Sequence, residues 1–595
     1  MAKSTDTTKT WNLDDIIMLE KFPETLKQAY AQIDQLAEFY AESVKPGMTE
    51  QDFVTFSSLN ESTIELLMRL GSRAELMQFA DQKDPQALKL KSQCKDMEQY
   101  YTEKMQSAGL WLEGKEVEGK QQLDDANAAR LFASVPDLEY QLLYDRSMAS
   151  HSLPVDQENI ISAKNQNGTS VLFDLYGLLD AEMSYRFVSQ KGEVKMLTRG
   201  EVDTLKSSGD AYARKEAFRC FFEAYNKNIE KFFMIYQARV KDWIYTAKLR
   251  GYPTSISMRN AANHVPDGAI STLLQVCIAN SKVYHRYFDY KARFLGQTKL
   301  SRFDLYAPVG EDTSNISYND AVDLVLEAYQ EFDAEFAAKA RSIVDASHID
   351  YQQRDNKVSG AFCAGIAPSI TPYVLTNFAG KGRDVSTIAH ELGHGIHYLF
   401  GNHLSISAQH TTLPLGETAS TFGEMILFDK LLSMAKDDGQ KRFLLADRLA
   451  DSYAGIVRQN SFTQFEIVAH QELSKGVSEE ELSKLWLKSL HDHFGESVEI
   501  DDMFGREWAY ISHLFDRPFY CYAYSFGELL SMSLYKRYKD EGESFVPKIK
   551  QILRAGGSQS PEKVLAKVGI DINSEQFWQD SFKIIEGWQD QLEKL

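Results

Sequence analysis

The chain has 595 residues, 43% of them hydrophobic, 12% aromatic and 25% charged, with a formal net charge of −20. That length exceeds one ordinary core, and the composition is globular rather than disordered. No basic surplus exists to displace counterions from phosphate or to hold anionic lipid, which disfavours nucleic-acid and membrane partners.

The opening stretch MAKSTDTTKTWNLDDIIMLEKF carries acids early and has no apolar core of leader length. No window approaches the ~18 consecutive apolar residues of a spanning helix. Five cysteines are scattered, odd in number and without a CxxC pair. This usage points to a reducing compartment and therefore to a cytoplasmic protein.

Helical periodicity then dominates. FPETLKQAYAQIDQLAEFYAESV, AFRCFFEAYNKNIEKFFMIYQARVKDWIYTAKL and YNDAVDLVLEAYQEFDAEFAAKARSIV repeat apolar residues at three- and four-residue steps. YRFVSQKGEVKML predicts a hairpin around Lys191-Gly192. FDLYAPV, together with GAFCAGI…TPYVLTNFAG (360–380), predicts a small sheet. No linker or repeat cuts the chain. A packed boundary is expected near residue 195, between an N-terminal helical region (1–195) and a larger C-terminal region (196–595). Phosphate loops of the GxxxxGK[ST] and GxGxxG types are absent, and so is a GxSxG elbow.

Residues 387–401, TIAHELGHGIHYLFG, hold three of the chain's 13 histidines. With Asp384 as N-cap and Gly401 as C′ residue, the spacing predicts a helix over 385–400. At ~100° per residue, Val385, Ile388, Ala389, Leu392, Ile396 and Leu399 form a core stripe. His390, His394 and His397 lie nearly opposite it, beside Glu391. His390-Glu391-Leu392-Gly393-His394 is HExxH: imidazoles at i and i+4 converge on one zinc ion, with Glu391 set at the distance of a metal-held water as general base. Gly393 in mid-helix costs about 1 kcal/mol against Ala, which makes sense where another backbone must come close.

A catalytic zinc needs a third protein ligand and one open position. Residues 395–416 contain no acid; the first is Glu417, in LPLGETASTFGEM, with Glu424 seven residues later on the same face. Glu417 is assigned as third ligand, its competing role being a first-turn acid that answers the helix dipole. Glu424 is assigned as a buttress to His390 or His394, against the alternative of an exposed helix acid. HExxHxxGxxH is ruled out, because His397 and Phe400 stand where glycine and histidine would be. His397 becomes a cleft-lining or hydrogen-bonding residue.

Further on, EWAYISHLFDRPFYCYAYSFG (507–527) carries His513, Tyr520, Tyr522 and Tyr524. Imidazole and phenol donors suit the negative charge that builds on a carbonyl oxygen during hydrolysis. The competing reading is a buried tyrosine wall.

GAFCAGIAPSITPYVLTNFAGKGRDVSTIAHELGHGIHYLF, GETASTFGEM, IVRQNSFTQFE and HLFDRPFYCYAYSFGELL together resemble the thimet-oligopeptidase-like metallopeptidases, most closely their oligoendopeptidase F branch. The likeness covers roughly residues 200–590. It implies a mainly α, two-lobed helical ellipsoid with a deep central channel and a small β-sheet beside the zinc-binding helix. It also implies one Zn2+ per chain on His390, His394 and Glu417, with Glu391 as base. Substrate binding is implied at Gly360 and Ala361 by edge pairing, with Arg458 and Tyr524 as further contacts. Where the branch usually has a tyrosine soon after the distal histidine, this chain has Phe515; Tyr520 and Tyr522 are therefore the expected oxyanion contacts, with His513.

The expected function is that of a zinc endopeptidase cutting short, unfolded oligopeptides. The rivals are a carboxypeptidase or dipeptidase, with Arg458 or Arg517 holding a chain terminus, and a metal-binding helical scaffold without activity. Intact Glu391 argues against the last. Oligomeric state is left open.

Overall fold

In the computed structural model, residues 10–310 and 315–595 are described. The chain is mainly α-helical, with three small sheets among the described residues. None of the described helices is long and apolar enough to cross a membrane. The chain forms two compact units. One comprises residues up to 149, 313–430 and 537–570; the other comprises 150–312, 431–536 and 571–595. Residue 195 falls inside the second.

The first unit begins with helices Phe22–Ser43, Glu50–Ala80 and Pro85–Leu112. Thr49 and Asp84 cap the latter two by accepting backbone N–H groups, from Asp52 and Gln86. Their apolar stripes, Ile33, Leu70, Ala74 and Met97 among them, share a buried cluster with Trp11, Ile366, Tyr373 and Leu375. The last three lie in or beside a three-stranded sheet. Its central strand Tyr373–Phe378 runs antiparallel to Phe362–Ala364, as the 360–380 pattern predicts, and parallel to Ile349–Gln352.

FDLYAPV does not join this sheet, which corrects the expectation. Arg302–Asp304 forms a 3-10 turn in the second unit, where the buried side chains of Arg302 and Asp304 pair with Glu507 and Arg214. Those ion pairs override the alternation that reads as a strand. The strand that takes its place, Ile349–Gln352, carries a buried Asp350 that pairs with Arg354 and Lys357. The Lys357 ammonium also donates to the carbonyls of Asp350, Gln352 and Thr376.

Two of the long helical patterns divide. Tyr318–Phe332 and Ala334–Asp345 meet at Asp333, whose carboxylate accepts the Phe336 N–H. Ala211–Asn226 and Ile229–Leu249 part at Lys227–Asn228. These last two helices build the aromatic core of the second unit from Phe221, Tyr225, Phe232 and Tyr236, packed with Trp508, Tyr510 and Phe515. The hairpin forms as expected, Tyr185–Val188 pairing antiparallel with Val194–Leu197 around Gly192 at φ +84°.

A candidate metal centre and a histidine–tyrosine cluster

The HExxH segment lies in helix Gly382–Phe400. It starts three residues earlier than expected, because Asp384 is not the N-cap. Its carboxylate reaches back from the first turn and accepts the N–H groups of Ala379 (2.8 Å) and Lys381 (2.9 Å). Gly401 ends the helix at φ −83°, so the left-handed C′ geometry is not used. The core stripe is buried from Val385 to Ile396, but Phe400 takes the buried position at its end and Leu399 is partly exposed. Tyr329 O–H donates to the Ala389 carbonyl at 2.5 Å and pins the middle of the helix.

On the other face, His390 Nε2 and His394 Nε2 stand 3.1 Å apart, and Glu417 Oε2 lies 3.4 Å from each. Bonds of ~2.0–2.1 Å to one tetrahedral ion place neighbouring ligand atoms ~3.4 Å apart, so this triangle has the size and donor set of a three-ligand metal site. Glu417 precedes helix Thr418–Met434, and its Oε2 accepts from Ser420 Oγ at 2.9 Å. His390 Nδ1 bonds Glu424 Oε1 at 2.5 Å. A carboxylate only accepts, so Nδ1 carries the proton and Nε2 is left for a metal.

Burial disfavours charge on Glu417, yet the hydrogen bond and charge of His394, the charge of His390 and the Ser420 hydroxyl hold its carboxyl down at about 2. Burial also opposes charge on His390, but Glu424, Glu417 and Glu391 raise it to about 9. Glu391, 6% exposed, is pushed upward chiefly by burial, against the downward pull of the two histidines.

These groups line a cavity of about 410 Å³ together with Ala361, Phe362, Cys363 and His397. His397 is a cleft residue as expected; burial drops its pKa to about 3, which keeps the ring neutral. Gly360, at φ +87°, and Ala361 lead into strand Phe362–Ala364. That strand is at an edge of the sheet, with a partner on one side only. Cys363 is a neighbour of Glu391 that sequence reasoning missed; a lone thiol in a strand gives no signal of it.

In the second unit, His513 and Tyr520 stack with ring centroids 5.5 Å apart, and Tyr524 stands edge-on to both. The Tyr524 hydroxyl is 3.3 Å from His513 Nε2. Tyr522 corrects the expectation: it is fully buried, and its hydroxyl accepts from Asn263 Nδ2 at 2.7 Å. Tyr522 and Tyr524 both lie in helix Tyr522–Glu541, where residues two apart face opposite ways. Phe515 is a core residue stacked on Tyr176, and its carbonyl accepts from Arg239 Nε. Arg458 ends the π-helical turn Tyr453–Arg458. Arg517 is largely exposed beside Asp516.

Comparison with known proteins matches these features to one family. The chain is 27% identical over 475 residues to an oligoendopeptidase F homolog of Lactococcus lactis, covering 77% of this chain and 76% of that one. It is 26% identical over 495 residues to the group B oligopeptidase PepB of Streptococcus agalactiae, covering 80% of each. The crystal structure of oligoendopeptidase-F from Enterococcus faecium shares the fold, with a TM-score of 0.70 at 23% identity over 98% of this chain and 99% of that one. The sequence model of Peptidase family M3 matches residues 204–584, well over half the chain, which therefore belongs to that family of metallopeptidases.

Proposed function

We propose that this M3 peptidase is a zinc-dependent endopeptidase that hydrolyses short, unfolded oligopeptides, with His390, His394 and Glu417 as ligands and Glu391 as general base. The observation that carries the reading is the triangle of Nε2, Nε2 and Oε2 atoms at 3.1–3.4 Å, which suits tetrahedral zinc and is too nitrogen-rich for magnesium or calcium. Zinc bound there would supply Lewis acidity, lowering the pKa of water towards ~7 and polarising a peptide carbonyl.

The chain's own residues account for the remaining steps. Glu391 takes a proton from the attacking water and delivers it to the leaving amine nitrogen; its burial strengthens its hold on that proton between the two transfers. Glu424 fixes the His390 tautomer. The open edge of Phe362–Ala364, entered through Gly360 and Ala361, pairs with substrate backbone without reading side chains. His513, Tyr520 and Tyr524 are imidazole and phenol donors of the kind a developing oxyanion needs, while Tyr522, held in the core, anchors the start of the helix that carries Tyr524. The relatives' names, oligoendopeptidase and oligopeptidase, support the substrate class. Five free cysteines fit a cytoplasmic setting.

The test is digestion of a library of peptides blocked at both ends, read by mass spectrometry, beside metal analysis of the purified protein. Internal cleavages that vanish with chelator and return with zinc are expected. Cleavage indifferent to chelator, or confined to terminal residues of unblocked peptides, would sink the reading.

A further inference from the structure

The cavity that holds the metal triangle continues past it. It follows helix Gly382–Phe400 from His394 to His397 and Tyr398, one turn or ~5 Å further along, where Gln409, His410 and Thr411 bound it. None of these bounding residues is a metal ligand. Gln409 is 3% exposed, and its amide nitrogen donates to Asn402 Oδ1 at 2.7 Å and to the Tyr398 carbonyl at 3.3 Å. That fixes the amide and leaves Oε1 as an acceptor with no hydrogen-bond partner among the described residues. Nε2 of His397 and Nε2 of His410 are likewise without one.

Buried polar atoms are nearly always paired, so three unpaired ones on residues lining a single cavity mark where a ligand's polar group belongs. The wall that carries them is rigid. The His410 ring meets the Tyr398 ring edge-on at 5.0 Å, and Tyr398 lies so close to Gly365 that a Cβ there would collide with its ring. The Ala408 carbonyl accepts the Gly557 N–H at 2.8 Å, which holds the segment before His410 from behind. Gln409 Oε1 requires a donor, whereas a neutral imidazole nitrogen donates or accepts according to its tautomer. A phenol or a carboxamide meets both demands. A carboxylate cannot donate, would share the cavity with Glu391 and Glu417, and finds no lysine or arginine among the described lining residues. Phe362, Leu413 and the Tyr398 ring give the stem of such a side chain an apolar flank.

We propose that this end of the cavity receives the side chain of one substrate residue flanking the scissile bond, that it selects a long neutral side chain with a hydrogen-bond donor at its tip, tyrosine or glutamine, and that Gln409 and His410 set this preference. The proposal deepens the peptidase reading and rests on it.

The experiment uses zinc-loaded full-length enzyme and a peptide blocked at both ends with a single cleavage site. The residue before that site, and in a second set the residue after it, is Tyr, Phe, Gln, Met or Glu. In one of the two sets wild type should prefer Tyr over Phe and Gln over Met by about tenfold in kcat/KM, the loss expected when a buried acceptor goes unpaired, with Glu the poorest substrate. In His410→Phe and in Gln409→Met the Tyr-to-Phe ratio should fall towards one. A ratio between two peptides isolates recognition, because a merely structural defect slows both alike. Phe cleaved as well as Tyr by wild type in both sets, or an undiminished ratio in either variant, overturns the proposal. If one variant does not fold, the other and the wild-type ratio decide. Absence of cleavage of every peptide by zinc-loaded enzyme overturns the peptidase reading itself.

Discussion

The Cα of Ser420 occupies the space where a side chain on Gly393 would begin: a Cβ there would stand 2.5 Å from it and 2.6 Å from the Ala419 carbonyl oxygen. Helices Gly382–Phe400 and Thr418–Met434 therefore meet backbone to backbone, between the two histidines and three residues from Glu417. Gly393→Ala must push the helices apart, because backbone cannot rotate away as a side chain does. Overpacking of this kind costs about 1–3 kcal/mol, and here it also widens the ligand triangle. A lower melting temperature and reduced zinc content by elemental analysis are expected; full loading with unchanged melting would contradict the close contact.

Glu391→Gln keeps the shape of the side chain and removes its capacity to take a proton. Since none of the three ligand atoms belongs to Glu391, metal content is expected to stay at the wild-type level. Turnover of a fluorogenic peptide should fall by about a hundredfold to ten-thousandfold, in kcat rather than KM. Activity within a few-fold of wild type would assign the base elsewhere.

Glu424 meets the site at His390, 2.5 Å away. Removing the carboxylate frees the imidazole to rotate and to change tautomer, so Glu424→Ala should weaken metal affinity by about tenfold to a hundredfold in competition with a chelator. Glu424→Gln retains an acceptor for Nδ1–H and should recover part of that loss. Equal affinity in all three proteins would reduce Glu424 to a packing residue.

The His390, His394 and Glu417 triangle is legible in sequence because it rests on local geometry. HExxH is one helical turn, and the lack of any acid between 395 and 416 leaves Glu417 as the next carboxylate along the chain. Gly393 is legible for the same reason, as a mid-helix residue that only a close backbone approach explains. What is hidden depends on distant partners. Ile349–Gln352 does not read as a strand because Asp350 is made acceptable there by Lys357 and Arg354. Tyr522 reads like Tyr520 until a helix start at 522 turns it inward towards Asn263. Glu507 acquires meaning only when Arg302, more than 200 positions earlier in the chain, lies against it.

Glu466 offers a test through pH. It is buried; its Oε1 accepts the Phe519 N–H at 2.8 Å, and its Oε2 has no hydrogen-bond partner among the described residues. Phe519, at φ +59°, is held in the left-handed region immediately before Tyr520. Burial pushes the Glu466 carboxyl up to about 8 from an ordinary 4.5, against weaker downward pulls from the Phe519 amide and Arg259. Between those two values the folded chain keeps a proton that the unfolded chain has released. The stabilising contribution is therefore complete below about pH 4.5, declines as pH rises towards 8, and changes no further once both states are ionised. Glu466→Gln preserves an acceptor for Phe519 and cannot ionise. Its melting temperature should match wild type at pH 5 and exceed it by a growing margin up to pH 8. A margin that stays constant across the range would show that another group titrates.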